Sequence, residues 1–217
     1  MKFKAVIFDM DGVLIDSEFH WLKAEIGFLA KYGITPSREL STTMIGRSLR
    51  ESVTILKEKF NLSQSVAELL GEKRKYSNAI YEYQAQVMPG AAALISRVKQ
   101  AGLKTAIASG ASLERVRTII ARFGWKEYFN ELVSSDQVGH QGKPNPAIYR
   151  YAVDRLGLTA GQCVAIEDSV NGLRAARGAG VACIAVPDPR WSWGDFSEAD
   201  IIAASLEDKK LWSFIGL

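Results

Sequence analysis

Short apolar runs alternate along the chain with longer segments in which apolar residues recur at helical spacing. The runs that predict strands end at Gly, Asp or Ser and cover residues 3–8, 105–108, 131–133, 164–166, 182–186 and, more weakly, 200–202. Runs as apolar as AVIF and VAI predict strands that are buried on both faces. Because helical segments separate most of these strands, we expect a parallel sheet covered by helices on both sides. The predicted fold class is α/β.

One long interval, from residue 16 to residue 88, contains no convincing strand. Its apolar residues recur at helical spacing, for example at Trp21, Leu22, Ile26 and Leu29. A Pro-Gly pair at positions 89 and 90 ends the interval and restarts a helix that leads to the next strand. We therefore predict a core domain formed by residues 1–15 and 89–217, and an inserted helical cap domain formed by residues 16–88.

Composition narrows the class of protein. The 217 residues are 47% hydrophobic and 24% charged, which is typical of a globular protein, and the formal net charge is +3. So small a charge, without runs of one sign, indicates no nucleic-acid or membrane partner but suits a small anionic substrate. Cys163 and Cys183 lie in apolar runs and are expected to be buried core residues. The first apolar run stops at Asp9, too early for a signal peptide, so we expect a cytoplasmic protein.

Polar residues follow the predicted strands at the sheet edge where open parallel sheets bind ligands. In chain order these residues are Asp9, Asp11, Ser109, Gly110, Lys143, Glu167 and Asp168. Four carboxylates that meet one lysine would repel one another unless a divalent cation lay among them, and hard oxygen ligands suggest Mg²⁺. Such a cation, an ammonium and a hydroxyl beside backbone amides can hold a phosphoryl group during an in-line displacement.

The nucleophile for such a displacement can be proposed from the residue types present. The chain has no GxSxG, HExxH or GxxxxGK[ST] motif and only two histidines, His20 and His140, so a carboxylate is the natural candidate. An aspartate can attack phosphorus and form an aspartyl-phosphate once a cation and a lysine offset the charge repulsion. A second aspartate two positions later can protonate the leaving oxygen and afterwards take a proton from water.

Four stretches, in this order and spacing, match a known family: FDMDGVLIDSE at 8–18, TAIASGAS at 105–112, GKPNP at 142–146 and IEDSVNGLRAARGAG at 166–180. In these stretches the chain resembles the haloacid dehalogenase superfamily of phosphotransferases, in particular its group with a helical cap. That group includes β-phosphoglucomutase and the sugar-phosphate phosphatases. The resemblance spans nearly the whole chain, and it implies a Rossmann-like parallel-sheet core with an inserted all-helical cap.

The resemblance also implies roles for the carboxylates. Asp9 would be the nucleophile and a metal ligand, and Asp11 the general acid/base that also offers its backbone carbonyl to the metal. Asp168 and, directly or through water, Glu167 would complete the Mg²⁺ shell. The presence of Asp11 argues against a dehalogenase, because cleavage of a carbon–halogen bond needs no acid for an alkoxide leaving group.

The other matching residues are implied to hold the phosphoryl group. Ser109 and the backbone amides of Gly110 and Ala111, at the start of the following helix, would bind its oxygens. The dipole of a helix favours an anion at that position. Lys143 would neutralise the charges of the phosphate and of Asp9.

Two residues of the predicted cap are candidates for substrate contact. Glu18 follows the first motif and can reach substrate hydroxyls, or it is an ordinary acid in the first turn of a helix. Arg47 carries a guanidinium suited to anions or sugar hydroxyls, or it is solvated. The DSEFHW pattern at 16–21 is closer to the DSEPLW of sugar-phosphate phosphatases than to mutase relatives, which have a histidine where Trp21 stands. This difference favours hydrolysis.

Together these features predict a Mg²⁺-dependent phosphomonoesterase that hydrolyses a small phosphorylated metabolite, with a sugar or polyol phosphate favoured, through an aspartyl-phosphate. A phosphomutase that returns the phosphoryl group to a sugar hydroxyl stays open as an alternative. A non-catalytic phosphometabolite-binding protein is a further one with less support. The protein is expected to be a monomer. The role of Trp191 and Trp193 is open, since they line the site entrance or a partner surface, or pack beneath a loop.

Overall fold

The computed structural model describes residues 2–45 and 47–217. Its strands are β1 (Ala5–Phe8), β2 (Ile15–Asp16), β3 (Gln86–Val87), β4 (Lys104–Ser109), β5 (Glu131–Ser134), β6 (Cys163–Glu167), β7 (Ala182–Ala185) and β8 (Ile201–Ile202). Its α-helices are α1 (Glu18–Ala30), α2 (Arg38–Met44), α3 (Leu49–Phe60), α4 (Val66–Ala79), α5 (Ala91–Gln100), α6 (Leu113–Arg122), α7 (Ala147–Arg155), α8 (Val170–Gly178) and α9 (Lys209–Ile215). A π-helical turn at Ile80–Gln84 continues α4.

Six of the strands form one parallel sheet in the order β5-β4-β1-β6-β7-β8. Phe8 at the end of β1 pairs with Ile107 on one side and with Ile166 on the other. The chain passes from β1 to β4 and later returns to β6, so the strand order reverses beside β1. Loops diverge at such a point and leave a crevice at the carboxyl ends of the strands. The predicted α/β fold is confirmed.

Alternate residues of β1 face opposite sides of the sheet, and each side is covered by its own helices. Ala5 and Ile7 belong to a core that includes α7 and α8, whereas Val6 and Phe8 belong to a core that includes α5, α6 and α9. All four side chains are fully buried. A strand buried on both faces needs no polar face, which explains the unbroken apolar run. Packing against the helices therefore holds in place the strands whose carboxyl ends carry the polar residues.

Helices α1 to α4 lie between β2 and β3 and have a small core of their own. Its fully buried members include Phe28, Leu29, Val53, Leu56 and Leu69. The helices form because their apolar residues recur at helical spacing and because Ser48 and Ser65 cap the amino ends of α3 and α4. This core is separate from the two that enclose the sheet.

The prediction that the interval 16–88 contains no strand is wrong at its two ends. Ile15–Asp16 pairs antiparallel with Gln86–Val87. Strands of two residues are too short for a pattern of apolar positions to reveal them. This ladder joins the segment in which the chain leaves the sheet for the inserted helices to the segment in which it returns.

Two smaller expectations concern the cysteines and membrane helices. Cys163 and Cys183 are both buried and free, which confirms them as core residues. Among the described residues, no helix has the length and apolar character needed to cross a membrane.

Candidate active site

A cavity of about 160 Å³ lies between the carboxyl edge of the sheet and the inserted helices. Seven of the predicted site residues line it: Asp9, Asp11, Glu18, Arg47, Gly110, Ala111 and Asp168. The other three, Ser109, Lys143 and Glu167, are buried beside them. The structure thus brings the predicted residues of the sheet edge and of the inserted helices around one cavity.

Three carboxylates and one lysine meet where β1 and β6 end. Oxygens of Asp9, Glu167 and Asp168 all lie within 4.8 Å of one another. The Lys143 ammonium lies 2.7 Å from Asp9 Oδ1 and 2.6 Å from Glu167 Oε1. All four side chains are buried, so salt and solvent screen their charges little. One ammonium offsets only one of the three carboxylates in this group.

The pKa values of these groups reflect burial and the shortage of positive charge. Burial raises the pKa of Asp9, Lys143 lowers it and Glu167 raises it, to a net value of about 7. Burial raises the pKa of Asp168 well above its ordinary value, and repulsion from Glu18 and Asp9 adds to this. Burial lowers the pKa of Lys143, but the attraction of Asp9 and Glu167 outweighs it and the net pKa is raised. Further positive charge would keep the carboxylates ionised.

A divalent cation would supply that charge, and the donor atoms fit Mg²⁺. Mg²⁺ prefers oxygen ligands and is held by one or two carboxylates together with water and substrate phosphate. Among the described residues the acidic group consists of Asp9, Glu167 and Asp168, and the carboxylate of Asp11 is not part of it. Of the four predicted ligands, Asp11 therefore differs from the others in that its carboxylate lies outside the acidic group.

Two glycines make room for the carboxylates. A Cβ on Gly12, whose φ is +79°, would stand 2.2 Å from Asp168 Oδ2. A Cβ on Gly172 would stand 1.9 Å from Glu167 Oε2. Both distances are far below van der Waals contact, so a larger residue at either position would displace a carboxylate of the site.

Glu167 is held by more than Lys143. The Tyr149 hydroxyl donates a hydrogen bond to Glu167 Oε1, and the Ser169 hydroxyl donates one to Oε2 at 3.3 Å. The Lys143 ammonium also lies 5.4 Å from the centre of the Tyr149 ring. Sequence reasoning missed Tyr149. The only sequence feature that could have indicated Tyr149 is its position in the helix that follows the GKPNP motif.

The carboxylate of Asp11 accepts three hydrogen bonds. Ser17 Oγ and Trp21 Nε1 donate to Oδ1 at 2.7 and 3.2 Å, and the Tyr81 hydroxyl donates to Oδ2 at 3.1 Å. Burial raises the pKa of Asp11 above its ordinary value, although these three donors lower it. Trp21 and Tyr81 come from the inserted segment, and neither was predicted as a partner of Asp11. The inserted segment thus orients a carboxylate of the core.

Ser109 is the last residue of β4, and Gly110 and Ala111 form the turn that follows it. The Ala111 amide donates to Ser109 Oγ at 3.1 Å. Helix α6 begins at Leu113 after its capping residue Ser112, so Ala111 and Gly110 lie two and three residues before the helix rather than at its start as predicted. They still lie at its positive end, where the dipole favours an anion.

Glu18 and Arg47 both line the cavity. Desolvation raises the pKa of Glu18 to about 8, and repulsion from Asp11 and Asp9 adds to it. Glu18 is also the first residue of α1. It therefore lies at the cavity, as expected for a substrate contact, and also in the first turn of a helix, where an acidic residue is common. Arg47 Nε donates to the backbone carbonyl of Thr43 at 2.8 Å, which orients the guanidinium at the wall.

Trp191 and Trp193 follow β7 and line the same cavity, which favours the site entrance over packing beneath a loop. Between them, Ser192 Oγ donates to Asp168 Oδ2 at 3.4 Å. The Trp191 ring centre lies 6.2 Å from that of Phe19 on α1. The segment therefore contacts both an acidic residue of the site and the inserted helices.

Comparison with known proteins points to one family. The family model of haloacid dehalogenase-like hydrolases matches residues 3–180, a range that includes every predicted site residue. Hexitol phosphatase B from Escherichia coli (strain K12) is 30% identical over 216 residues, which cover 94% of this chain and 95% of that protein. The bifunctional riboflavin kinase/FMN phosphatase of Arabidopsis thaliana is 33% identical over 95% of this chain, but the chain spans 54% of its length.

Solved structures agree with these matches. A variant of CbbY from Rhodobacter sphaeroides, in complex with xylulose-(1,5)bisphosphate, is 31% identical and superimposes with a TM-score of 0.77. The alignment covers 94% of this chain and 95% of that one. The similarity therefore extends over both the sheet and the inserted helices.

Proposed function

Because the chain belongs to the haloacid dehalogenase-like hydrolase family and is a phosphatase, we propose that it is a Mg²⁺-dependent phosphomonoesterase of sugar or polyol phosphates that acts through an aspartyl-phosphate. One observation carries the proposal: the Asp9 carboxylate stands at the cavity wall with the Lys143 ammonium 2.7 Å away. A carboxylate in that place can reach a phosphoryl group in the cavity, and the ammonium offsets the repulsion between them.

In the first step, an Asp9 oxygen attacks phosphorus and the bond between phosphorus and the substrate oxygen breaks. Asp11 gives its proton to that leaving oxygen, a role that suits a carboxyl whose pKa is raised. In the second step, water attacks the phosphorus of the aspartyl-phosphate and Asp11 takes a proton from it. The bond between phosphorus and Asp9 breaks, which releases inorganic phosphate and restores the carboxylate.

The other residues of the site would bind the cation and the phosphoryl group. Asp9, Asp168 and the backbone carbonyl of Asp11 would hold Mg²⁺, which supplies positive charge to the phosphoryl oxygens when bound. Glu167 contacts Lys143 and completes the acidic group. Gly110 and Ala111 line the cavity, which suits their amides to bind phosphoryl oxygens, with the Ala111 amide exchanging its hydrogen bond to Ser109 Oγ for one to the phosphate.

The size and position of the cavity support a small substrate. Its volume of about 160 Å³ is below the roughly 300–1,000 Å³ of sites for drug-sized ligands. Two relatives are named a hexitol phosphatase and a phosphorylated carbohydrates phosphatase, which supports a sugar or polyol as the leaving group. The inserted helices cover the cavity, so residues 16–88 would act as a cap that excludes water. The monomeric state and the cytoplasmic location stay predictions.

Phosphate release from a panel of hexitol, sugar and nucleotide phosphates and FMN, with Mg²⁺ or a chelator, tests this function. We expect the highest kcat/KM with a hexitol or sugar monophosphate, and no release in the chelator. Faster release from FMN or a nucleotide would overturn the substrate class. Formation of an isomeric sugar phosphate that needs a bisphosphate activator would identify a mutase. Mg²⁺-dependent binding without turnover would identify a binding protein.

Tyr81→Phe is expected to slow hydrolysis according to the leaving group. The substitution removes the 3.1 Å hydrogen bond that orients Asp11. Alkyl phosphates need a proton on the leaving oxygen, so their kcat/KM, which excludes the later hydrolysis of the aspartyl-phosphate, should fall about 10-fold. The kcat/KM of p-nitrophenyl phosphate, whose leaving group needs no proton, should change little. Steady-state kinetics with both substrates measure the difference.

Tyr83→Phe is the matched control, because Tyr83 lies in the same turn and is 64% exposed. It should leave the ratio of the two rates unchanged. An equal loss with both substrates in Tyr81→Phe would contradict the positioning of Asp11 by Tyr81.

A further inference from the structure

A buried ion pair joins two inserted helices at the cavity wall. Lys73 Nζ on α4 lies 2.5 Å from Glu25 Oε2 on α1, and the side chains are 4% and 12% exposed. Both residues line the same cavity as Asp9 and Asp168. The catalytic steps leave the pair without a role. Stability alone does not account for it either, because the cost of removing two charges from water offsets much of their attraction.

Two buried polar atoms of the cavity wall have no hydrogen-bond partner within the described ranges. One is an acceptor, Glu25 Oε1, and the other is a donor, Trp191 Nε1. Buried polar atoms are nearly always paired, since they lose their hydrogen bonds to water when they are buried. A ligand in the cavity that both donates and accepts hydrogen bonds would satisfy both atoms.

The charges of the pair define what that ligand is. A phosphate or carboxylate has no proton to give to Glu25 Oε1 and would be repelled by its charge. An ammonium group would be repelled by Lys73. A hydroxyl donates to Glu25 and accepts from Lys73 or from the Trp191 indole, so neutral hydroxyl groups fit where ions do not.

We propose that Glu25 and Lys73 form a hydroxyl-binding subsite for the part of the substrate that lies away from its phosphate. Because the pair is neutral, it gives no attraction to a second phosphate. The inference rests on the proposed phosphatase function and narrows its substrate to a polyhydroxylated monophosphate. Such a site discriminates by leaving its own polar groups unpaired when the ligand lacks a hydroxyl.

The test compares three substrates of one chain length: glucitol 6-phosphate, hexyl phosphate and glucitol 1,6-bisphosphate. The double variant Glu25→Gln/Lys73→Met replaces the ion pair by neutral groups of similar size. In it, the preference in kcat/KM for glucitol 6-phosphate over hexyl phosphate should fall about 10- to 100-fold. An unchanged preference would overturn the proposal.

The single variant Glu25→Gln gives a second test, in which we expect a gain in relative activity rather than a loss. It leaves the Lys73 ammonium without its carboxylate, so kcat/KM for the bisphosphate relative to the monophosphate should rise about 10-fold. The double variant should show no such rise. Arg47 and Arg115 also line the cavity, so ratios between variants are compared rather than absolute bisphosphate rates. If Glu25→Gln fails to fold, the double variant, which buries no charge there, decides the question.

A matched control uses a more exposed ion pair between α4 and Lys31, the residue that follows α1. Lys31→Met/Glu72→Gln removes it at side chains that are 49% and 28% exposed, and it should change neither ratio. Calorimetric Kd values for glucitol 6-phosphate and hexyl phosphate, measured in the Asp9→Asn background, need no turnover. If turnover is absent but the Kd ratio depends on the pair, the proposed function fails and the subsite stands. If turnover occurs and neither ratio depends on the pair, the subsite fails alone.

Discussion

Replacement of Asp9 by asparagine is expected to lower kcat/KM for phosphate release by at least about 10⁴-fold while the protein stays folded. An amide is a far weaker nucleophile than a carboxylate, and loss of a nucleophile removes the covalent step entirely. The side chain keeps its size, and one negative charge leaves the group that Asp9 forms with Glu167 and Asp168. Substrate binding should therefore persist or tighten, which separates a lost chemical step from a lost site.

The measurement has two parts. Phosphate release gives the rate, and acid quenching with ³²P-labelled substrate should leave label on the wild-type protein but not on the variant. Asp154→Asn is the control, because Asp154 is exposed on α7, away from the cavity. Label on Asp9→Asn protein, or turnover above about 1% of wild type, would mean that another group attacks phosphorus.

Much of this site could be predicted because its residues follow buried strands. In a parallel sheet, residues just past neighbouring strands meet at one edge whatever the rest of the chain does. Asp9, Asp11 and Asp168 are of this kind, and pairing of Phe8 with Ile166 places their strands side by side. Local sequence and sheet geometry were enough to bring them together.

Residues of the inserted helices were harder to predict, because their positions depend on how those helices pack. Glu25 and Lys73 are 48 positions apart on different helices, and nothing in either local pattern signals an ion pair. Tyr81 reaches Asp11 through a π-helical turn that has no marker in the sequence. The proposed specificity therefore rests on contacts that sequence patterns describe least, whereas the proposed chemistry rests on those they describe best.

Lys143→Met is expected to have the second-largest effect, and to act on stability as well as on rate. The ammonium lies within 2.7 Å of both Asp9 and Glu167, and all three side chains are buried. Its removal leaves two buried carboxylates without their partner, which typically costs about 3–5 kcal/mol of unfolding free energy. It also removes the charge that offsets repulsion between Asp9 and the phosphate, so kcat/KM should fall about 10³-fold.

Chemical denaturation in a chelator and in excess Mg²⁺ separates these two effects. A cation that binds only the folded protein stabilises it by mass action, and the variant has one more uncompensated negative charge with which to attract it. Mg²⁺ should therefore recover more stability in Lys143→Met than in wild type, while the rate stays low because the cation does not replace the ammonium beside Asp9. The exposed Lys126→Met, which changes net charge equally, should alter neither quantity. Equal stabilisation of both proteins by Mg²⁺ would show that the cation does not bind at the acidic group.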